Sequence, residues 1–566
     1  MKQKSIKEPV YTRFPMMLIG VFIALYPVIC FPVTLKLSEA ELPFVPAHGG
    51  ALTDLCVRSR EIVLFAVGVC LILFWLGERI FPDHPRKSPL LDRKALLPLA
   101  GTGLILLCAV VSGIFSLHPE LSFWGISSEN TGIAAFIGFA ALFLAAFEGG
   151  VSRENLRYIT TGATVSGLLC GVMLLIEKLF GQLTDILWHT GESAGTMLLF
   201  GNSSACGEFC ALLFPFLLAC ALSEQRNAAA AVQAVSAGAA LCTALSSMSS
   251  TAFYGMLAEV AALAAFGIIR AAKNKKMPLK RLFIPLAAAL PAAALLIFQP
   301  GILTAGAGNS VSYSPESSWQ LTGAELTGDT LRLTGKGELL IRIEQNGISL
   351  TDERSGETSL LTSSSDTADI AGITARLDGD ILSLDLGYAD KLRFVRYDGG
   401  LGYVGLNGYI QPLEQSAFPE LSEYYGMLTG RGYIWLNTLP ALGQCIFKGI
   451  GAGQLCFYFP QNDIVGALNT HGTANILTDK PHSMYLETAL YCGIPALLIL
   501  LAVTAVVLKR GAAAALGSGA MAGAFASLVG ALVMGITNDI SVVYIPLAVI
   551  FAGILSAHPN TRKHAD

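Results

Sequence analysis

The feature that most limits what this chain can fold into is a succession of long apolar stretches separated by short basic or polar ones. A helix crossing a hydrocarbon core of roughly 30 Å needs about 20 largely apolar residues. About twelve such stretches can be placed, near residues 14–36, 61–79, 95–117, 131–148, 157–177, 204–222, 228–246, 251–271, 281–300, 482–508, 514–537 and 540–557. With 53% hydrophobic and only 14% charged residues among 566, the chain is too apolar for a soluble enzyme of this size. The expectation is a polytopic α-helical membrane protein of about twelve transmembrane helices.

The net charge of −4 gives no footing for a nucleic-acid partner, and the informative quantity is where the lysines and arginines lie. Basic clusters at Lys2 to Arg13, Arg79 to Lys94, Arg153 and Arg157, Arg226, Arg270 to Arg281, Lys509 and Arg510, and Arg562 and Lys563 occupy every second connection between the apolar stretches and so all fall on one side. By the positive-inside rule these loops, and both termini, face the cytoplasm, and the polar stretch from about 301 to 481 lies outside. The first stretch is too long for a signal peptide, and no small-residue cleavage site follows it. Most of the 12 cysteines fall within apolar stretches, and none occurs between Cys242 and Cys445, so the polar stretch has no internal bridge through its main part. Cys206 and Cys210 lie four apart with no histidine nearby, which favours packing over metal binding.

Four outward loops carry polar side chains. The first ends in Arg58 and Arg60, whose ordinary role at a membrane surface is contact with lipid phosphates. The second contains Trp124, an interfacial anchor by type, followed by Glu129 and Asn130. The third ends at Gly201-Asn202, with Glu208 inside the next apolar stretch, where an ionisable side chain is costly unless it faces a polar interior. The fourth is an uncharged serine cluster, Ser246 to Ser250.

From about 305 to 415 the composition turns polar and the apolar residues alternate at period two. Ile341 and Ile343 flank Arg342 before Asn346-Gly347; Ile373, Ala375 and Leu377 precede Asp378-Gly379; Leu382, Leu384 and Leu386 follow. That alternation predicts antiparallel hairpins and a small extracytoplasmic all-β insert, a sandwich by size, before the last three helices. The expected organisation is a transmembrane region over 1–304, the β domain over 305–415, a site segment with an interfacial helix over 416–481, and a second transmembrane region over 482–566.

The site segment and the start of the following helix hold the residues best suited to chemistry. Arg431 lies in a Gly-Arg-Gly turn and offers a planar, permanently charged fork suited to phosphate oxygens. A GIGAG turn follows at 449–453, and then Asp479-Lys480-Pro481-His482 opens an apolar helix with Tyr485 and Glu487. An imidazole can take a proton from a hydroxyl nucleophile. Taken singly, a surface arginine is usually solvated and a histidine at a helix end usually caps or packs; the pair is more informative than either.

The order GRGYIWLNTLP, GIGAGQLCFYFPQND, DKPHSMYLETALYCGIPALL resembles the signature region of the O-antigen ligase and polymerase family, which includes O-linked protein oligosaccharyltransferases. The resemblance covers the membrane part, with Gly201-Asn202 at a helix start, and not the β insert. It implies transfer of a glycan from a polyprenyl-diphosphate-linked oligosaccharide donor to a hydroxyl of a glycan, lipid or protein acceptor at the outer face of the cytoplasmic membrane, with no metal or nucleotide cofactor. It also implies that Arg431 holds the diphosphate and His482 activates the acceptor as the catalytic pair, and brings Asn202, Arg58, Arg60 and Lys480 forward as substrate-binding residues. Two positions depart from the family pattern. Ser250 stands where many ligases carry a second arginine, and Ser483 stands where an asparagine usually follows the histidine. Arg58, Arg60 or Lys480 could supply the missing charge. Two other functions are compatible with the sequence: a transporter or flippase of lipid-linked glycans, for which Glu208 and Glu259 are the intramembrane groups, and an inactive envelope sensor or assembly protein, to which the missing arginine points.

Overall fold

A computed structural model describes residues 13–47, 49–81, 93–149, 152–189, 195–273, 319–362, 366–397 and 400–557. Among the described residues, eight helices are long and apolar enough to cross a membrane: Val57–Ile80, Leu96–Ile114, Glu154–Phe180, Ser203–Ser223, Asn227–Ser246, Ser250–Arg270, Ile494–Ala515 and Gly519–Thr537. Three shorter apolar helices, Phe14–Val28, Ile133–Gly149 and Ile545–Ala557, accompany them. The stretch expected at 281–300 lies outside the described residues, as does the beginning of the polar insert.

Ser203–Ser223 is the central post, with 89% of its most apolar window buried. It packs against Asn227–Ser246, Gly519–Thr537, Ser250–Lys273 and Arg153–Phe180. Its start is fixed by Asn202, an extended residue whose carboxamide oxygen accepts the backbone N–H of Ser204 at 2.7 Å and Ala205 at 3.2 Å.

Two predicted stretches are built differently. The first ends at Leu25, with a tight turn over Tyr26–Val28, and then leaves the bundle as the strand β1, Val33–Lys36. The helical backbone ends at Ile29, which is extended, and Pro32 disfavours a return to helix at Phe31. β1 pairs antiparallel with β2, Ala51–Asp54. The stretch expected over 482–508 is two helices, Met484–Cys492 and Ile494–Ala515, broken at Gly493. Gly493 has φ +95°, and a Cβ there would lie 3.0 Å from the Lys448 carbonyl carbon, so the break admits the crossing backbone.

The polar stretch contains two antiparallel meanders. Strands β3 (Gly323–Thr327), β4 (Thr330–Thr334), β5 (Glu338–Glu344), β6 (Gly347–Asp352) and β7 (Thr358–Leu361) form one sheet in chain order. Strands β8 (Thr367–Ile370), β9 (Ile373–Asp378), β10 (Ile381–Asp385), β11 (Leu392–Tyr397), β12 (Gly400–Val404) and β13 (Ile410–Gln411) form the other. The alternation read from the sequence is the buried face: Ile341, Ile373, Ala375, Leu377, Leu382, Leu384 and Leu386 share one core drawn from both sheets. The turns sit one residue away from the expected dipeptides. Glu344 pairs with Gly347 and Asp378 with Ile381, so the turn residues are Gln345-Asn346 and Gly379-Asp380.

That β core also takes in Ile464 and Leu468 of the short helix Ile464–His471. Asn469 on this helix donates to the Leu321 carbonyl at 2.6 Å and accepts from the Tyr388 hydroxyl at 3.0 Å. The helix thereby joins the sheets to the segment that carries Arg431 and His482.

Candidate active site

Arg431 follows three residues, Leu428, Thr429 and Gly430, with φ values of +51°, +61° and +91°. This left-handed turn reverses the chain just before the regular part of the Met427–Leu442 helix. Two of its groups accept from one guanidinium nitrogen, Nη1, the Leu428 carbonyl at 3.0 Å and the Thr429 hydroxyl at 2.8 Å. Nε donates to the Thr537 carbonyl at 2.6 Å. Among the described residues, Nη2 has no protein acceptor. The glycines on either side are required sterically. A Cβ on Gly430 would lie 2.5 Å from the His471 ring, and one on Gly432 would lie 2.0 Å from the Tyr424 carbonyl oxygen.

His482 is also left-handed, with φ +49°, a conformation that costs a non-glycine residue about 1–3 kcal/mol and persists only where the surroundings impose it. Those surroundings are clear. The Pro481 carbonyl accepts from the Trp435 indole N–H at 2.9 Å, and the Met484 N–H donates to the Asn538 carbonyl at 2.7 Å. Between these two pins, His482 Nδ1 meets the Asp539 carboxylate at 2.7 Å. The imidazole side chain is 39% exposed and the carboxylate 7%, so the ring opens outward while its partner is shielded. A carboxylate facing Nδ1 favours the proton there and leaves Nε2 as the basic nitrogen.

Arg431 and His482 are thus brought together twice. Both bind the same turn, at Thr537 and Asp539, and Trp435, one helical turn beyond Arg431, holds the residue before His482. Burial tends to raise the Asp539 carboxyl, but the facing His482 and then Lys480 bring it below its ordinary range. Burial works against the Arg431 charge, while Asp539 and Glu208 support it. Asn538 donates to Glu208, which ties the second turn of the central helix to the same loop.

The other predicted residues are placed differently. Arg58 and Arg60 lie inside the Val57–Ile80 helix and not in a loop, because Asp54 caps the helix early, accepting from the backbone N–H groups of Cys56, Val57 and Arg58 at 3.1, 2.8 and 2.7 Å. Arg58 pairs with Glu61 at 2.5 Å, with side chains 5% and 0% exposed, and also donates to the Trp124 carbonyl at 2.7 Å. Arg60 is wholly buried, donates to the Cys56 carbonyl at 2.7 Å and lies over the Phe200 ring. Neither guanidinium is presented to a ligand. Asn202 uses its oxygen as the helix cap described above. Lys480 donates to the Glu129 carbonyl at 3.2 Å; burial opposes its charge, but Asp479 and Glu129, with Asp539 and Glu487, raise its pKa. It balances buried carboxylates.

The GIGAG turn is a joint. A Cβ on Gly453 would lie 2.9 Å from Gly125 Cα, and the buried Gln454 side chain bonds the backbone of His118 and the hydroxyls of Ser116 and Ser122. Ser250 is close to the site: its neighbour Thr251 meets the Thr537 hydroxyl at 3.4 Å. Three further groups stand at the site: Asn538 and Asp539, which the charge bias of the loops already puts on the same outer side as Arg431 and His482 but to which the sequence assigns no role, and His471, which carries no signal. Polar Asn538-Asp539 between two apolar helices was the available signal.

No protein-family model and no curated protein matches the sequence.

Proposed function

We propose that this chain is a membrane glycosyltransferase of the O-antigen ligase and polymerase type, acting at the outer face of the cytoplasmic membrane with both termini inside. The observation that carries this reading is the His482–Asp539 pair at 2.7 Å, beside an arginine bound to the same turn. In the reaction the acceptor hydroxyl gives its proton to His482 Nε2 as its oxygen bonds to the anomeric carbon of the donor sugar. The bond from that carbon to the diphosphate breaks, and the polyprenyl diphosphate leaves with the electron pair. Arg431 Nη2 faces the growing negative charge, Asp539 steadies the imidazolium, and the two elements hold the groups in register. Lys480, whose charge is felt at Asp539, supports the pair from among the carboxylates of Asp479, Glu129 and Glu487.

The reading is tested in cells that make the glycan product. His482→Ala and Arg431→Ala should each abolish product while protein level and membrane insertion stay normal. Wild-type yield in both variants would overturn it.

A further inference from the structure

Away from the His482 site, two cysteines from different elements face each other. Cys30 follows the Tyr26–Val28 turn, and Cys56 immediately precedes the Val57–Ile80 helix that Asp54 caps. Their sulfur atoms lie 3.0 Å apart, against about 2.05 Å in a disulfide bond. The frame around them is built to hold that approach. The β1–β2 register places Val33 opposite Asp54, so the segments leading to the two thiols converge at the same end of the hairpin. Cys30 Sγ also meets the Leu55 carbonyl at 3.0 Å, and Gly201 packs on Cys56, where an added Cβ would lie 3.0 Å from the Cys56 Cβ. Cys56 is buried and Cys30 is only half-buried, so a thiol reagent reaches Cys30 first.

We propose that Cys30 and Cys56 are a disulfide-forming pair at the outer membrane face, a covalent clasp joining the base of the hairpin to the start of the Val57–Ile80 helix. The inference rests on the outward orientation given under Proposed function. The chemistry is two successive exchanges with an external protein disulfide. The Cys30 thiolate attacks the oxidant's S–S bond, forming a mixed disulfide and releasing one thiolate; the Cys56 thiolate then attacks the Cys30 sulfur, closing the bond and releasing the second. The two protons lost by Cys30 and Cys56 are taken up by the oxidant's two released thiolates, so the oxidant leaves as a dithiol. The hydrogen bond with Cys56 lowers the pKa of Cys30, burial opposing it and the Arg60 charge adding to it, which suits Cys30 to attack first.

What the clasp holds is the loop under the sheets. Between the two cysteines, Glu41 accepts from the Ser127 N–H at 2.8 Å, and the Leu42 and Val45 carbonyls accept from Asn407, just beyond β12. Closing the 30–56 segment therefore fixes a support of the second sheet to the membrane bundle.

The test uses the full chain in native membranes. The membranes are denatured in excess small maleimide so that every free thiol, buried ones included, is blocked; the protein is then reduced, and newly released thiols are counted by gel shift with a maleimide polymer. Wild type should release two thiols on reduction, and Cys30→Ser or Cys56→Ser should release none. In parallel, Thr34→Cys in a Cys30→Ser/Cys56→Ser background should react with a membrane-impermeant maleimide in intact cells. If Thr34→Cys reacts but wild type releases no thiols on reduction, the disulfide is overturned and the orientation stands. If Thr34→Cys reacts only after the membrane is opened, the orientation is overturned and the inference falls with it.

Discussion

Arg58 and Arg431 are the same side chain at the start of two helices, and their surroundings assign them opposite work. Arg58 is closed in by Glu61 and the Trp124 carbonyl, at 5% exposure, and Glu61 in turn accepts from the Gly132 N–H at 3.1 Å. Its charge is neutralised within the fold. Arg431 is held by neutral acceptors, two carbonyls and a hydroxyl, with the nearest carboxylates acting only through space, and its Nη2 has no acceptor among the described residues. A guanidinium held by carbonyls keeps its net charge for a ligand, and one held by a carboxylate does not. The surroundings thereby separate an arginine whose charge is used inside the fold from one that keeps an open donor among the described residues, as the proposed phosphate role requires.

The comparison can be broken by exchanging consequences. Arg58→Ala should act on folding, since removing one member of a buried pair costs about 3–5 kcal/mol, read as loss of folded protein in detergent. Replacing both partners by apolar residues, Arg58→Leu with Glu61→Leu, should restore much of that loss; folded and stable Arg58→Ala would contradict the assignment. Asp539→Asn should act on rate, lowering transfer by about a hundredfold through loss of an oriented base. Gly430→Ala should cost about 1–3 kcal/mol in stability from its positive φ, together with displacement of His471. It should reduce transfer less than Asp539→Asn.

The smallest effect is a pH dependence. Burial first, and the His482 charge second, lower His471 from the ordinary imidazole value of 6.5. A base lowered in the folded state binds fewer protons there than in the unfolded chain between the two values. Its contribution to stability is therefore full above the unfolded value and is lost as pH falls below 6.5 towards the folded one. His471→Gln should flatten that part of a melting-temperature profile between pH 7 and 5.

Much of the scaffold was legible because it follows local rules. Apolar length marks Ser203–Ser223, Asn202 marks its start, and period-two alternation marks the leucines of β9 and β10. The breaks were less legible, because Gly493 interrupts an apolar run for the sake of Lys448, a residue distant in sequence. At the site, Arg431 and His482 stood out as residue types, whereas the partner that orients His482 lies 57 positions later. Asp539 looks like any acid after an apolar helix until packing of the Gly519–Thr537 helix delivers it. The burial of Arg58 and Arg60 was illegible for the same reason in reverse: Asp54 draws the helix start towards the hairpin, and both side chains end up inside the fold.

The most direct measurement takes purified protein in detergent, without a membrane gradient, supplies a polyprenyl-diphosphate-linked glycan and an acceptor, and follows release of the polyprenyl diphosphate. Wild type should release carrier in step with glycan transfer, and His482→Ala and Arg431→Ala should each fall by about 10²-fold or more while remaining folded. Release at the wild-type rate by either variant, or no transfer by wild type with a chemically competent donor, would contradict the account.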